Sequence, residues 1–388
     1  MTTPDGQRQI MDRNHNLVRP EDLSARDREH ARGILQRYLA TAKDRSEGAI
    51  NRIFSEVPKD AIVRGDAVEF RALLEKPSNG RAPVEVCKPF LSNVHDNFLA
   101  QYADKAGVTM GYLRELGAVD SQWARDLMAH VLTTHAANAL RGSRNLVRGI
   151  GGRDGQKGEV RAFLSDKFRR IDCRPGLESL IKVAQESGGY VTDAVVSDTR
   201  ASVRVLLPEV IEVGPGEFVV LGLSWSNSDY GRGAQALASF LLRLWCLNGA
   251  TLETELRQVH LGGRLSDDVT YSERTRRLDA AATTSAIRDA ARELLSGERV
   301  GQTAEVLRAA AIEKIDPKVR FADLRKRLGK TLADKVAEAY NGPDVENLPS
   351  GNTAWRLSNA ISWVAGESDA ETRLDLERAA GDALRKAA

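Results

Sequence analysis

Hydrophobic and polar positions change rhythm twice along the chain. Up to about residue 85 the sequence is charged and rich in helix formers; in "PEDLSARDREHARGILQRYLATA" the residues Ile34, Leu35, Tyr38 and Leu39 recur at helical spacing behind a proline and an acidic start. This predicts a helical, partly flexible lead-in over 1–85, in which "EKPSNGRAPVE" marks a loop or linker. Helices are predicted from about Pro89 to Leu116 and from Trp123 to Leu140, the second with Asp120 as its N-cap. Between Asn145 and Cys246 the period shortens. "NLVRGIGG", "GEVRAFLSD", "GYVTDAVVSD", "ASVRVLLPEV" and "EFVVLGLSWS" alternate or run apolar and break at glycine, proline or aspartate, the pattern of a sheet. "GGRDGQKG" supplies the turn of the first hairpin, and one helix, about Gly176 to Ser187, interrupts the strands. Beyond Gly249 the strand signals stop, and amphipathic, alanine-rich helices follow, separated by "DPK", "NGPD" and "LPSGN". The expected class is α+β: a core over 86–262, with a helical hairpin and a central, mainly antiparallel sheet, flanked by the lead-in and a C-terminal helical region over 263–388.

Composition narrows the setting. With 388 residues, 42% of them hydrophobic, the chain is long enough for two or three domains with a substantial core. Lysine and arginine number 56 against 54 acidic residues, so a net charge of +2 gives no whole-protein attraction for nucleic acid or membrane, and any basic surface must be local. Cys87, Cys173 and Cys246 are odd in number and widely spaced, which disfavours a disulfide framework or a zinc ribbon. The polar start "MTTPDGQRQIMDRNHN" has no apolar stretch for a signal peptide, and "SFLLRLWCLNGA" is too short to span a bilayer and carries Arg243. A cytoplasmic protein without membrane contact is expected.

Catalytic patterns find no anchor. "RLGKTLADK" contains the GKT of a phosphate loop, but Leu324 stands where its first glycine belongs and no strand precedes it. In "GIGGRDG", Asp154 replaces the third glycine of a dinucleotide fingerprint. His130 and His135 are five apart, on different faces of a helix, and His95 with Asp96 lacks a second pair. No GxSxG occurs, and Asp267 with Asp268 sits before a helix, where capping accounts for it. Neither a cofactor nor a metal is expected. An enzyme acting on nucleotides would have to draw on Asp172, Asp193, Asp229 and His260.

Two features point toward binding. In "AQYADKAGVTMGYLRELG" the residues Tyr102, Ala106, Val108, Leu113 and Leu116 are spaced like the buried positions of a helix-turn-helix, with Ala103 at the crossing and Gly107 at the turn; a plain helical hairpin packed on the sheet has the same pattern and is preferred. The second feature is charge. From Arg141 to Arg174 ten basic residues face four acidic ones. On a hairpin, Arg148 and Arg161 would project from one face, with Arg153 and Lys157 at the tip and Lys167, Arg169 and Arg170 beyond, a shape suited to tracking phosphates. Phe168, Tyr190, Trp225, Tyr230 and Arg232 lie near enough in sequence to join such a surface. Against this, aromatics on strands usually enter the core, and edge arginines also serve solubility.

Four blocks in order, "VRAFLSDKFRRID", "GLSWSNSDYGRGAQALASFLLRLWCLNGA", "VHLGGR" and "GNTAWRLSNAISWVA", resemble the phage/plasmid-like protein family, a domain of uncharacterised function common in phages, prophages and plasmids. The resemblance runs from roughly Phe98 to Ala380 and implies a mobile-element protein, with no activity to transfer to particular residues. Read for its physics, the middle block is a strand, turn and core device. Asn227, Ser228 and Asp229 bond their own backbone, Gly231 and Gly233 allow positive φ or close approach, and Asn248 with Gly249 closes the segment as a turn or αL cap; His260 belongs to the block after it. The expected function is nucleic-acid binding, of single-stranded DNA before other nucleic acids, in recombination, annealing or replication, with self-association through the C-terminal helices. The alternatives are a protein-interaction or host-countermeasure module without DNA binding, and the nucleotide-acting enzyme.

Overall fold

The computed structural model describes residues 10–11, 17–18, 20–75, 77, 81–152, 157–258, 271–342 and 348–385. The α+β class holds, with helices at both ends of the chain and strands that are mostly antiparallel. The strands, however, form two main sheets where a single central one is expected from the sequence. A two-residue pair, β1 (Ile10–Met11) and β2 (Leu17–Val18), precedes the helices α1 (Pro20–Ala40) and α2 (Ala42–Ser55).

The first sheet begins inside the region expected to be a helical lead-in. β3 (Lys59–Arg64), β4 (Glu69–Ala72), β5 (Arg81–Lys88) and β6 (Ser92–His95) come before three helices, α3 (Asp96–Ala106), α4 (Met110–Ala118) and α5 (Gln122–Ala139). The hairpin of β7 (Arg144–Ile150) and β8 (Gly158–Ser165) completes it in the order β3-β7-β8-β6-β5-β4, β6 and β8 running parallel. The helix expected from Pro89 starts only after β6, where the His95 ring accepts a hydrogen bond from the Asn97 N–H. Ser121 rather than Asp120 caps α5, its hydroxyl facing the Ala124 N–H. α3 and α4 are the helical hairpin, turned at Gly107 (φ 71°), and the five positions read from the spacing are buried, as is Ala103. With α5 they cover one face of the sheet, packing Phe98, Tyr102, Leu113 and Leu132 against Val84, Val147 and Phe163.

β9 (Tyr190–Val196), β10 (Ala201–Gly214), β11 (Glu217–Asn227), β12 (Gln235–Arg243) and β13 (Gly249–Gln258) form the second sheet, antiparallel in chain order behind α6 (Cys173–Glu186). Both of its faces are covered, which is why β11 reads as an almost unbroken apolar run. Ala31 and Leu35 of α1 pack on Leu206, Val220 and Phe240, while α6 and α7 (Glu273–Leu294) pack Leu177, Leu180 and Ile287 on Val203, Leu223 and Trp225. The chain ends in α8 (Gly297–Ile312), α9 (Pro317–Leu328), α10 (Lys330–Asn341), α11 (Ala354–Gly366) and α12 (Ala370–Arg385), gathered with Leu221, Leu241 and Leu252 around Trp355 and Ile361. Gly329 of the GKT stretch is the break between α9 and α10. Among the described residues no helix is long and apolar enough to cross a membrane.

Candidate functional site

The face of the first sheet opposite α3–α5 is charged, and it is turned toward the second half of the molecule. Alternation on β5, β7 and β8 puts Glu85, Arg148 and Glu159 there while their neighbours enter the core. Asp60 stands opposite Arg148 across the β3–β7 pairing. Arg148 is 1% exposed and bonds three elements at once: Asp60 of β3 at 2.7 Å, Asp172 ahead of α6 at 2.7 Å, and the Asp229 backbone carbonyl at 2.9 Å. Arg161 is also buried; it pairs with Glu159 and with Glu56 just after α2, each at 2.8 Å, and donates to the Asp198 carbonyl between β9 and β10. Arg52 pairs with Glu56 and Asp198. The hydrogen bond from His95, with Arg161 and Arg52 beside it, holds Asp198 below the ordinary carboxylate range despite its desolvation.

The turn after β11 locks into this layer. Asn227 donates to the Ile171 carbonyl at 2.8 Å, and the Ser228 hydroxyl donates to Thr199 O while accepting from the N–H groups of Tyr230 and Arg232. Gly231 has φ 76°, and a Cβ there would come within 2.7 Å of Leu164. Asp229 accepts the Cys173 N–H at 2.7 Å, capping α6 in place of Asp172. Burial, and next the nearby Asp172 charge, push the Asp229 carboxyl up to about 6, against the pull of Arg148. Burial also raises the Cys173 thiol.

That placement yields a pH signature. Folded Asp229 keeps its proton up to about 6, whereas an unfolded aspartate loses it near 4, so this group's contribution to stability falls as pH rises through that window. Asn in its place still accepts the Cys173 N–H but does not ionise. Asp229→Asn is therefore expected to gain on the order of 2 kcal/mol relative to wild type between pH 4 and pH 7.5, read from urea unfolding at both values; an equal difference at the two pH values contradicts the assignment.

Beside the layer lies an open cleft of about 280 Å³ between the end of α2, the start of β3, the β7–β8 hairpin and the start of β5. Its cations among the described residues are Lys59, Arg81 and Lys157. Arg81 is 47% exposed and pairs with Glu159 at 2.8 Å; Lys157 is 41% exposed and pairs with Glu85 at 2.6 Å. Lys59 is exposed and has no carboxylate partner among the described residues. Its side chain lies across Gly151, where a Cβ would come within 2.7 Å of Lys59 Cε. A second cavity of about 30 Å³ lies inside the layer, lined by Arg161, Asp198, Asp229 and Tyr230. The Tyr230 hydroxyl is buried without a hydrogen-bond partner.

The cationic face expected from the sequence is thus mostly interior. Arg148 and Arg161 are buried and neutralised, Arg169 forks onto Asp279 of α7 at 2.7 and 2.8 Å, and Arg170 pairs with Asp60 at 3.2 Å. Tyr230 and Trp225 are buried and unavailable for stacking, and Phe168 is half-buried beside the Arg148 guanidinium. Lys157 and Arg232 remain exposed, and Lys167 is half-buried; Arg153 and His260 lie outside the described residues. Of the carboxylates weighed for catalysis, Asp172 and Asp229 come together, while Asp193 belongs to a separate network with Arg204 and Arg373. No group of three His, Cys, Asp or Glu poised to hold a metal occurs among the described residues. Asn248 and Gly249 close the β12–β13 turn as expected, but the left-handed residue is Leu247 (φ 54°), and Gly249 serves to admit the Phe240 ring, whose Cε2 lies 2.7 Å from where a Cβ would be. Gly233 has neither a positive φ nor a close neighbour. Lys59 and Arg81 escaped the sequence reading because they lie within the stretch taken for a helical lead-in; the short β-branched run Ile62–Val63 in "KDAIVR" is the signal that the strand offers. No protein-family model matches the chain, and neither does any curated protein or solved structure.

Proposed function

We propose that the protein binds single-stranded nucleic acid, with the phosphate backbone taken at the cleft by Lys59, Arg81 and Lys157. The observation that carries the reading is Lys59: an exposed cation without a carboxylate partner among the described residues, lying over Gly151 in a cleft that also holds the half-exposed Arg81 and Lys157. At about 280 Å³ the cleft is small for a whole nucleotide, since ligand pockets start at about 300 Å³, but ample for a phosphodiester group passing through. The resemblance of the four sequence blocks to phage/plasmid-like proteins supports a mobile-element setting, in which recombination or replication exposes single strands.

The test is a titration with single- and double-stranded DNA at about 50 and 200 mM salt, with wild type and Lys59→Glu. Wild type should bind single strands with an affinity that falls as salt rises, and the reversed charge should weaken binding about tenfold at low salt. Binding that ignores salt, or an unchanged Lys59→Glu, removes the reading; absence of binding to any oligonucleotide favours the protein-interaction alternative.

A further inference from the structure

A second concentration of cations lies on the other sheet, where neighbouring residues of four strands run Arg257, Ala236, Ser226 and Ser202 in register. Arg378 of α12 donates to the Ser226 hydroxyl at 3.0 Å. Arg200, Arg257 and Arg327 stand close enough to act on it electrostatically: burial first, then these like charges, lower its affinity for its proton. Among the described residues three carboxylates serve the four guanidinium groups. Arg200 meets Glu371 at 2.9 Å and Asp375 at 3.5 Å, Arg327 meets Asp382 at 2.6 Å, and Arg378 reaches Asp375 only at 4.0 Å. Arg257, exposed at the edge strand, has no carboxylate partner among the described residues.

Guanidinium groups held together with fewer carboxylates than charges repel one another, and an oxyanion placed among them offsets that repulsion. Arg378 and Arg327 keep 39% and 40% of their side-chain surface open, so a ligand has access. We propose that Arg257, Arg327 and Arg378 form a site for a phosphate group. A tetrahedral oxyanion suits it because each planar fork donates two parallel N–H groups, and small residues, Ala236 and Ser226, lie beneath. The site is separate from the Lys59 cleft and does not depend on it.

Inorganic phosphate is the probe, added against chloride at constant ionic strength while thermal unfolding of the full chain is followed. Wild type and Lys59→Glu should both show a saturable rise in Tm. Arg257→Gln, an exposed change that leaves the fold intact, should raise the half-saturating concentration about tenfold or more, the scale of a lost charged hydrogen bond. Arg378→Gln should do the same. Absence of a saturable rise in wild type, or an unchanged midpoint in Arg257→Gln, overturns the site; loss of the rise in Lys59→Glu alone would assign it to the cleft instead.

Discussion

Arg148→Ala is expected to lower the unfolding free energy by about 3–5 kcal/mol, the cost of removing one partner from a buried ion pair. Its guanidinium is what Asp60, Asp172 and the Asp229 carbonyl share, so the deletion takes the Arg148 donor from Asp172 and the carbonyl and leaves Asp60 with Arg170 alone. Lysine in its place keeps the charge but not the fork, and cannot bond all three groups at once; Arg148→Lys should recover less than half of the loss. Urea unfolding at constant pH measures both. A deficit under about 1 kcal/mol for Arg148→Ala would show that the two halves hold together without this residue.

Gly381→Ala carries the second large effect, and its sign runs against helix propensity. On α12 an alanine would ordinarily gain about 1 kcal/mol over glycine. Here its Cβ would come within 2.6 Å of the Thr251 carbonyl carbon and 3.0 Å of Leu252 Cα, both backbone atoms of β13 that no rotamer change can move. Overpacking of this kind costs about 1–3 kcal/mol and at times more. The direct backbone clash places it at the upper end, so a net loss of about 2 kcal/mol or more is expected, with α12 displaced from the strand. Thermal unfolding gives the magnitude, and a stabilised Gly381→Ala would mean that α12 sits farther from β13 than described.

Those two residues show what a sequence conveys and what it withholds. The β7–β8 hairpin, α6 and the apolar β11 were legible because their periods are local: alternation or helical spacing over a few residues suffices. β3 and β4 were not, because outer strands of six and four residues that carry charges are too short for a period to show and look like helical surface. The division into two sheets depends on the parallel pairing of β6 with β8, which no local pattern encodes. Charge was legible as a count but not as a field. Arg148 lies 88 residues from Asp60, Arg161 lies 105 from Glu56 and Arg169 lies 110 from Asp279, so an excess of arginine within one window was cancelled by carboxylates from elsewhere. In the "SNS" turn the chemistry was local again: Ser228 bonds its own loop as its residue type suggests, and only the long-range acceptor, Thr199 O, was out of view.

α1 and α2 rest on strands made much later than themselves, α1 on β10 and α2 on β9. During synthesis their apolar sides have nowhere to go until some 150 further residues have left the ribosome. These two helices therefore act as a closing clasp: the first sheet can assemble early, but α1 and α2 are secured only when β9 and β10 arrive, and a nascent chain halted before β9 would present Leu35 and Ile53 to the solvent.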